Sequence, residues 1–374
     1  MLKYLSYYGN ENCKEKRYYV LAATNKVDYI SQAIRSNNMD IEIISVSPSV
    51  HKKASSYSMQ TKYGVPVLMT PSLSKKNKFT SLINRFYIKK WLKKQLNKLT
   101  EKDQLIVYHS LGYIKTIERA KQKKNFKLIL EIEEIYSDVT GNQKMREEEL
   151  KFFEIADAYI FSTELLNQKV NIQNKPSVII YGTYNVEKQI AEKCNDGRIH
   201  CVYAGTFDPR KGGVFAAVAA GEFLNENYHI HIIGFGDDYD KNLLINTIND
   251  ISKNTKCRIT YDGLLSGEEY IKFIQSCDIG LSTQNPDAAF NATSFPSKVL
   301  SYMANGLRVV SIKIEALAIS AVSDLLYYYD ENTPKAIANA IKEIDLTEPY
   351  DSRERIKELD TKFTEEIKNL LEKI

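Results

Sequence analysis

Paired cysteines are missing from this chain. The five cysteines, Cys13, Cys194, Cys201, Cys257 and Cys277, are odd in number, widely spaced and include no Cys-x-x-Cys unit. A disulfide framework is thereby excluded, and reduced thiols in a cytosolic protein are expected. Long apolar runs are missing as well: none approaches the roughly 20 residues that span a bilayer. The opening segment, Met1 to Gly9, lacks a secretory hydrophobic region, so the expectation is a chain on the cytoplasmic side. In that setting the glycosylation sequon Asn291-Ala-Thr293 carries no meaning. Nor is there a large excess of charge of one sign. A formal net charge of +4 does not by itself imply nucleic acid, and the distribution of charge matters more than its sum.

What is present is enough chain for two domains. The 374 residues, 43% hydrophobic and 26% charged, fit two α/β domains that each bury a core. Short apolar runs alternate with helical patterns throughout, the signature of parallel sheets with crossover helices. Strands are predicted at 18–23, 41–46, 104–108, 127–132, 158–161 and 177–180, and again at 200–204, 229–233, 259–261, 279–281, 308–311 and 325–328. Between the two series lies Tyr181-Gly-Thr-Tyr-Asn-Val186, followed by a polar, helix-like stretch from Glu187 to Gly197. The domain boundary is placed there, giving domains 1–186 and 187–350, with a charged amphipathic helix over 351–374.

Residues 75–99 hold nine Lys and Arg and no acidic residue. Phe79, Leu82, Ile83, Phe86, Leu96 and Leu99 fall at helical spacing, while Lys89, Lys90, Lys93 and Lys94 crowd another face beside Tyr87 and Trp91. Basic residues interleaved with aromatics suit an anionic membrane surface. A core-packed helix with a solvated lysine face fits the same pattern, and no nucleic-acid module accompanies it.

The stretch Pro296-Ser-Lys-Val-Leu-Ser-Tyr-Met-Ala-Asn-Gly-Leu-Arg-Val-Val310 reads as a loop, a helix, a glycine stop at Gly306 and a buried strand. Delivery of Ser297 and Lys298 to a helix start brings backbone N–H groups, the helix dipole and an ammonium to one place, which suits phosphate. Three further segments precede it. They are Cys201-Val-Tyr-Ala-Gly-Thr-Phe-Asp-Pro-Arg-Lys-Gly-Gly213, Ile230-His-Ile-Ile-Gly-Phe-Gly-Asp-Asp238, and Ile259-Thr-Tyr-Asp-Gly-Leu-Leu265 with Cys277 to Ser282. The ordered set covers most of residues 200–311 and resembles the donor domain of GT-B fold glycosyltransferases, in particular the retaining group 1, or family 4, enzymes.

That resemblance implies two Rossmann-like domains facing across a cleft, with the terminal helix crossing back to the first. It implies a metal-independent hexosyltransferase that moves a sugar from a nucleoside diphosphate donor, UDP foremost, to a hydroxyl of a polysaccharide or glycolipid. Capsule, exopolysaccharide and O-antigen assembly in bacteria are the expected settings. The implied partners are the nucleotide-sugar donor, a glycan or lipid-linked glycan acceptor and the inner membrane face through residues 75–99, with no nucleic acid and no cofactor. Residue by residue it places the donor against Gly205, Gly234, Ser294 and Pro296, with its diphosphate near Thr206, Arg210, Lys211, Ser297 and Lys298. Leu264 and Leu265 meet the base, and Asp287, Asn291 and Ser301 meet the sugar or ribose.

The chain departs from the family pattern at defined points. Thr206 stands where similar enzymes carry an arginine, with Arg210 beside Lys211 as a substitute charge. Thr293 and Ser301, eight positions apart, stand where many retaining members carry two glutamates. A hydroxyl lacks the bidentate grip of a carboxylate. In the first half, His109 ends an apolar strand where open α/β sheets face their ligand. Glu133 and Glu134 end the next strand, and any of the three can serve as a base if the reaction inverts. His229 and His231 share a strand face, but no third metal ligand is evident beside them, and no metal is expected. Asp238-Tyr-Asp240 is read as a solvated loop. A nucleotide-sugar 2-epimerase of the same fold and a catalytically degenerate partner subunit remain the alternatives.

Overall fold

The computed structural model describes residues 1–50, 53–73, 77–208, 213–286 and 293–374. It divides into two units, Met1–Thr183 with Thr361–Ile374, and Tyr184–Asp360. The first unit runs β1 (Leu2–Ser6), α1 (Leu21–Ser36), β2 (Ile41–Ser45), β3 (Tyr57–Gln60), β4 (Pro66–Met69), α2 (Lys78–Leu96), β5 (Gln104–Tyr108) and α3 (Ile114–Lys124). It continues through β6 (Lys127–Ile132), α4 (Tyr136–Thr140), α5 (Gln143–Glu154), β7 (Ala158–Phe161), α6 (Glu164–Val170) and β8 (Ser177–Ile179). Among the described residues these strands form an eight-stranded sheet in the order β3-β4-β2-β1-β5-β6-β7-β8. All pairs are parallel except β3 with β4.

The strand expected over 18–23 is not formed. The first strand lies earlier, at Leu2–Ser6, where Tyr4 and Leu5 are buried. Tyr18, Val20 and Leu21 are instead exposed, because Leu21 already begins α1. That helix is set by Val27, Ile30, Ala33 and Ile34, which recur at helical spacing and are buried. It supplies the crossover that parallel pairing of β1 with β2 requires.

The second unit runs β9 (Ile199–Thr206), α7 (Val214–Ala220), β10 (Tyr228–Phe235), α8 (Asp238–Ser252), β11 (Arg258–Gly263), α9 (Gly267–Ser276), β12 (Ile279–Ser282) and α10 (Lys298–Ala304). Then follow β13 (Arg308–Ile312), α11 (Glu315–Ala318), β14 (Leu326–Tyr329), α12 (Pro334–Lys342) and α13 (Ser352–Lys373). Among the described residues its six strands are parallel in the order β11-β10-β9-β12-β13-β14. Strand succession reverses between β9 and β12, the switch point at which such sheets bind ligands beyond their carboxyl ends.

Two further expectations are corrected here. Residues 187–197 are irregular rather than helical, because the buried Gln275 takes over their backbone groups. Its Oε1 accepts from Ile190 N–H at 2.8 Å and Ala191 N–H at 3.2 Å, and its Nε2 donates to the Lys188 carbonyl at 2.7 Å. Asp238 and Asp240 lie in the first turn of α8, capped by Asp237, and not in a loop. Acidic groups there complement the positive end of the helix dipole.

The last part of α13 belongs to the first unit. Phe363 stacks on Tyr29 with ring centres 5.7 Å apart, and the side-chain amides of Asn37 and Gln104 donate to the Thr364 and Leu371 carbonyls.

Candidate functional site

The ends of β9 and β10 approach each other so closely that only glycine fits. A Cβ on Gly234, whose φ is +139°, would lie 1.8 Å from the Gly205 carbonyl oxygen. Beside this contact lies an open pocket of about 200 Å³, lined by Gly205, Gly234, Phe235, Leu264, Leu265 and Tyr270. Four residues expected to meet the donor, Gly205, Gly234, Leu264 and Leu265, thus share one cavity. Phe235 and Leu264 are 60% and 66% exposed, so they form its open lip and leave apolar surface for a flat ligand to cover. Ser301 reaches the pocket through Tyr270, whose hydroxyl lies 3.2 Å from its own.

Beside the pocket stands Lys298. Its ammonium lies 3.9 Å from the centre of the Tyr203 ring and beside Gly205, where a Cβ would meet it at 3.3 Å. No carboxylate pairs with it among the described residues. Burial pushes its ammonium down to about 7, since a cation that has lost water without gaining an anion favours its neutral form. The cation–π contact offsets only part of that cost. Tyr302 fixes α10 beneath the site: its buried hydroxyl accepts from Ala204 N–H at 2.8 Å and donates to the Leu281 carbonyl at 3.4 Å.

Thr206, the departure from the family's arginine, has a local task. Its hydroxyl accepts from Asp208 N–H at 3.2 Å, while its carbonyl accepts from Tyr203 Oη at 3.0 Å. The turn after β9 is held by these bonds. Pro296 and Ser297 directly precede α10, and no side chain caps the helix; Ser294 lies in the preceding loop and makes contacts of its own. Arg210, Lys211, Asp287 and Asn291 lie outside the described residues.

In the first unit the expectation for His109 is corrected. The residue does follow β5, but its side chain is 1% exposed and turned into the core. Tyr136, Phe152 and Phe153 surround the ring, and Nε2 bonds to Glu149 Oε1 at 2.6 Å. Glu149 also accepts from the N–H groups of Tyr136 and Ser137. Burial opposes its ionisation, yet the bonds from His109 and Ser137 hold its carboxyl below the ordinary range. His109 therefore anchors α4 and α5, with its ring held in the core of the first unit. Glu133 pairs with Lys26, which also donates to the Ile180 carbonyl at 3.1 Å. Glu134 is likewise engaged.

Two constellations escape a linear reading. Glu131 is wholly buried and accepts from the Tyr4 hydroxyl. Burial first, then the nearby Glu133 charge, pushes its carboxyl up to about 8. Its hydrogen-bond partner Tyr4 comes from 127 residues earlier in the chain, which spacing cannot show. In the second unit, parallel pairing of β9 with β10 sets His200 beside His229. The third imidazole missing from the His229/His231 pair is therefore supplied by a separate segment.

Two parallel-sheet units in Rossmann order, the second with a glycine-lined pocket and a lysine beyond its strand ends, are the architecture of the GT-B fold. Residues 198–344 match the family described as "Glycosyl transferases group 1". No curated protein matches the chain. Among solved structures it is similar to the E. coli trehalose-6-phosphate protein bound with UDP-2-fluoro glucose, at a TM-score of 0.72 and 12% identity, covering 99% of this chain and 98% of that one. It is similar also to sucrose-phosphate synthase from Thermosynechococcus elongatus, at a TM-score of 0.70, 14% identity and coverage of 100% and 98%. HepE of Anabaena in complex with UDP gives a TM-score of 0.69 at 12% identity, with both chains covered in full. At such identities the likeness carries the fold.

Proposed function

We propose that the protein transfers a sugar from a UDP-sugar to a hydroxyl of a polysaccharide or glycolipid acceptor. The observation that carries this reading is the Lys298 ammonium, partly desolvated and without a carboxylate among the described residues, beside an open apolar pocket. A flat base covers Leu264 and Phe235, and the diphosphate brings the anion that the ammonium lacks. In the transfer, an acceptor oxygen bonds to the anomeric carbon as the bond from that carbon to the phosphate oxygen breaks. The acceptor proton leaves to a base, and charge develops on the departing UDP. A cation already in place there stabilises the transition state without reorganisation. Arg210 and Lys211 are proposed to share that charge, so donor turnover is expected without added divalent metal. UDP complexes of proteins with this fold support the choice of nucleotide.

Calorimetry with UDP tests the reading. Lys298→Met is expected to weaken binding at least tenfold, about 1.4 kcal/mol, and equal affinity in both proteins removes Lys298 from the phosphate site. Binding of UDP without turnover of any UDP-sugar would instead identify a partner subunit.

A lipid-linked acceptor at the inner membrane face is favoured by α2. Its second half is buried through Ile88, Leu92 and Leu96, whereas Phe79, Leu82, Ile83 and Phe86 in its first half are 70%, 52%, 41% and 65% exposed. Lysines flank that apolar face, the pattern of a helix that lies in a bilayer interface.

A further inference from the structure

From the geometry of His200, His229 and His231 we infer a binding site for one transition-metal dication of the zinc class, at the amino-terminal ends of β9 and β10, remote from the donor pocket. The three histidines are 3%, 4% and 7% exposed, and each offers a ring nitrogen within 4.8 Å of the others. Two come from β10 and one from β9, in register as neighbours.

Their outer partners decide which nitrogens face inward. His200 Nε2 lies 3.0 Å from Asp196 Oδ1, and His231 Nδ1 lies 3.1 Å from Asp262 Oδ2. A carboxylate only accepts, so both of those nitrogens carry the proton. The inward atoms, His200 Nδ1 and His231 Nε2, are 2.9 Å apart and both left as lone pairs. Two lone pairs at that distance repel each other, and either a proton or a metal ion between them relieves the repulsion. The third ring follows the same logic. Thr260 Oγ1 donates to Asp262 at 2.8 Å, so it accepts from His229 Nε2–H at 2.9 Å, and His229 Nδ1 is left bare.

Imidazole held by a carboxylate behind it is the usual second shell of a metal-ligating histidine. His200 and His231 are held in this way and His229 by a hydroxyl, and three imidazoles suit zinc, nickel, copper or iron, whereas calcium and magnesium need oxygen ligands. Tetrahedral zinc at about 2.0–2.1 Å sets its nitrogens about 3.4 Å apart, so the inward pair opens by about half an ångström on binding. Asp196, 41% exposed, marks the side from which solvent reaches the site. The surrounding charges balance: Arg198 pairs with Asp196 at 2.8 Å, and Arg258, in register with His229, stands against Asp262. His200 opens β9, while the donor loop follows Thr206 at its other end; six residues of strand are about 20 Å. The ion therefore ties β9 to β10 and takes no part in transfer.

Tag-free protein treated with chelator and dialysed is titrated with Zn²⁺ and, separately, Co²⁺. One equivalent of zinc is expected by elemental analysis, with a raised thermal midpoint, and cobalt is expected to show the intense visible bands of tetrahedral coordination. His229→Gln and His231→Gln are expected to lose both. Should either imidazole variant unfold, Asp262→Asn keeps all three rings and is expected to weaken zinc binding roughly 10–100-fold. Absence of binding to the wild type, or binding unchanged in these variants, overturns the site and leaves a cluster that shares a proton.

Discussion

Lys298 carries a cost in the free protein that its ligand relieves, and the cost has a pH signature. Folded, it holds its proton only to about pH 7, whereas an unfolded lysine holds it to about 10.4. Between those values the unfolded state binds more protons, so stability from this group rises with pH across that window. Below pH 7 the cost is fully present. Lys298→Met is therefore expected to be more resistant to urea than the wild type at pH 6, with the gap closing towards pH 10. UDP should also restore the proton at pH 8: binding heats of the wild type are expected to vary with the ionisation enthalpy of the buffer, and those of the variant are not. A buffer-independent heat in both proteins would contradict a diphosphate on Lys298. The residue is legible in the sequence because Pro-Ser-Lys before a helix is a local pattern. Its displaced proton is not, since that depends on Tyr203 and Gly205, almost a hundred positions earlier. His109 shows the same limit: its place after an apolar strand is local, but its inward turn depends on Glu149, 40 residues on.

At the scale of elements, α2 is two helices in one. Its period of apolar residues is legible, but periodicity alone does not say which turns are buried, because that depends on what else packs there. The core of the first unit takes Ile88, Leu92 and Leu96 and leaves Phe79 and Phe86 outside. Burial and the neighbouring Arg85 and Lys115 charges hold the Lys89 ammonium below its usual range, so this face already repels its own cations and gains from an anionic surface. Replacement of Lys89, Lys90, Lys93 and Lys94 by glutamine is expected to reduce sedimentation with phosphatidylserine vesicles. Salt should weaken wild-type pelleting in parallel. Phe79→Ser with Phe86→Ser is expected to act on neutral vesicles too, which separates apolar insertion from charge. Equal pelleting of all three proteins would mean that α2 is an ordinary surface helix. The stretch 187–197 marks the opposite case, in which polar composition suits a helix but a buried Gln275 offers its backbone better partners.

At the scale of the whole molecule, the alternation of strands and helices is what made two parallel sheets readable, because each crossover repeats the same local pattern. The early strand at Leu2–Ser6 escaped it, since five residues before a long irregular stretch carry little period. The terminal helix was readable as amphipathic, and its assignment by contacts has an energetic consequence. Phe363, Ile367, Leu370 and Leu371 are buried in the first unit. At about 1.5–3 kcal/mol each, they contribute on the order of 6–12 kcal/mol as an upper figure. That is comparable with the whole net stability of a domain, about 5–15 kcal/mol. A chain ending at Asp360 should therefore lose the first unit while the second, which contains Lys298 and the pocket, still folds. Calorimetric scans are expected to show one transition in the truncated protein, raised by UDP as in the full chain because the ligand binds only the folded second unit. Limited proteolysis should meanwhile degrade residues before 184 and spare those after it. Survival of the first unit in that truncated chain would show that its sheet is held by its own strands and helices, with the terminal helix a dispensable cover.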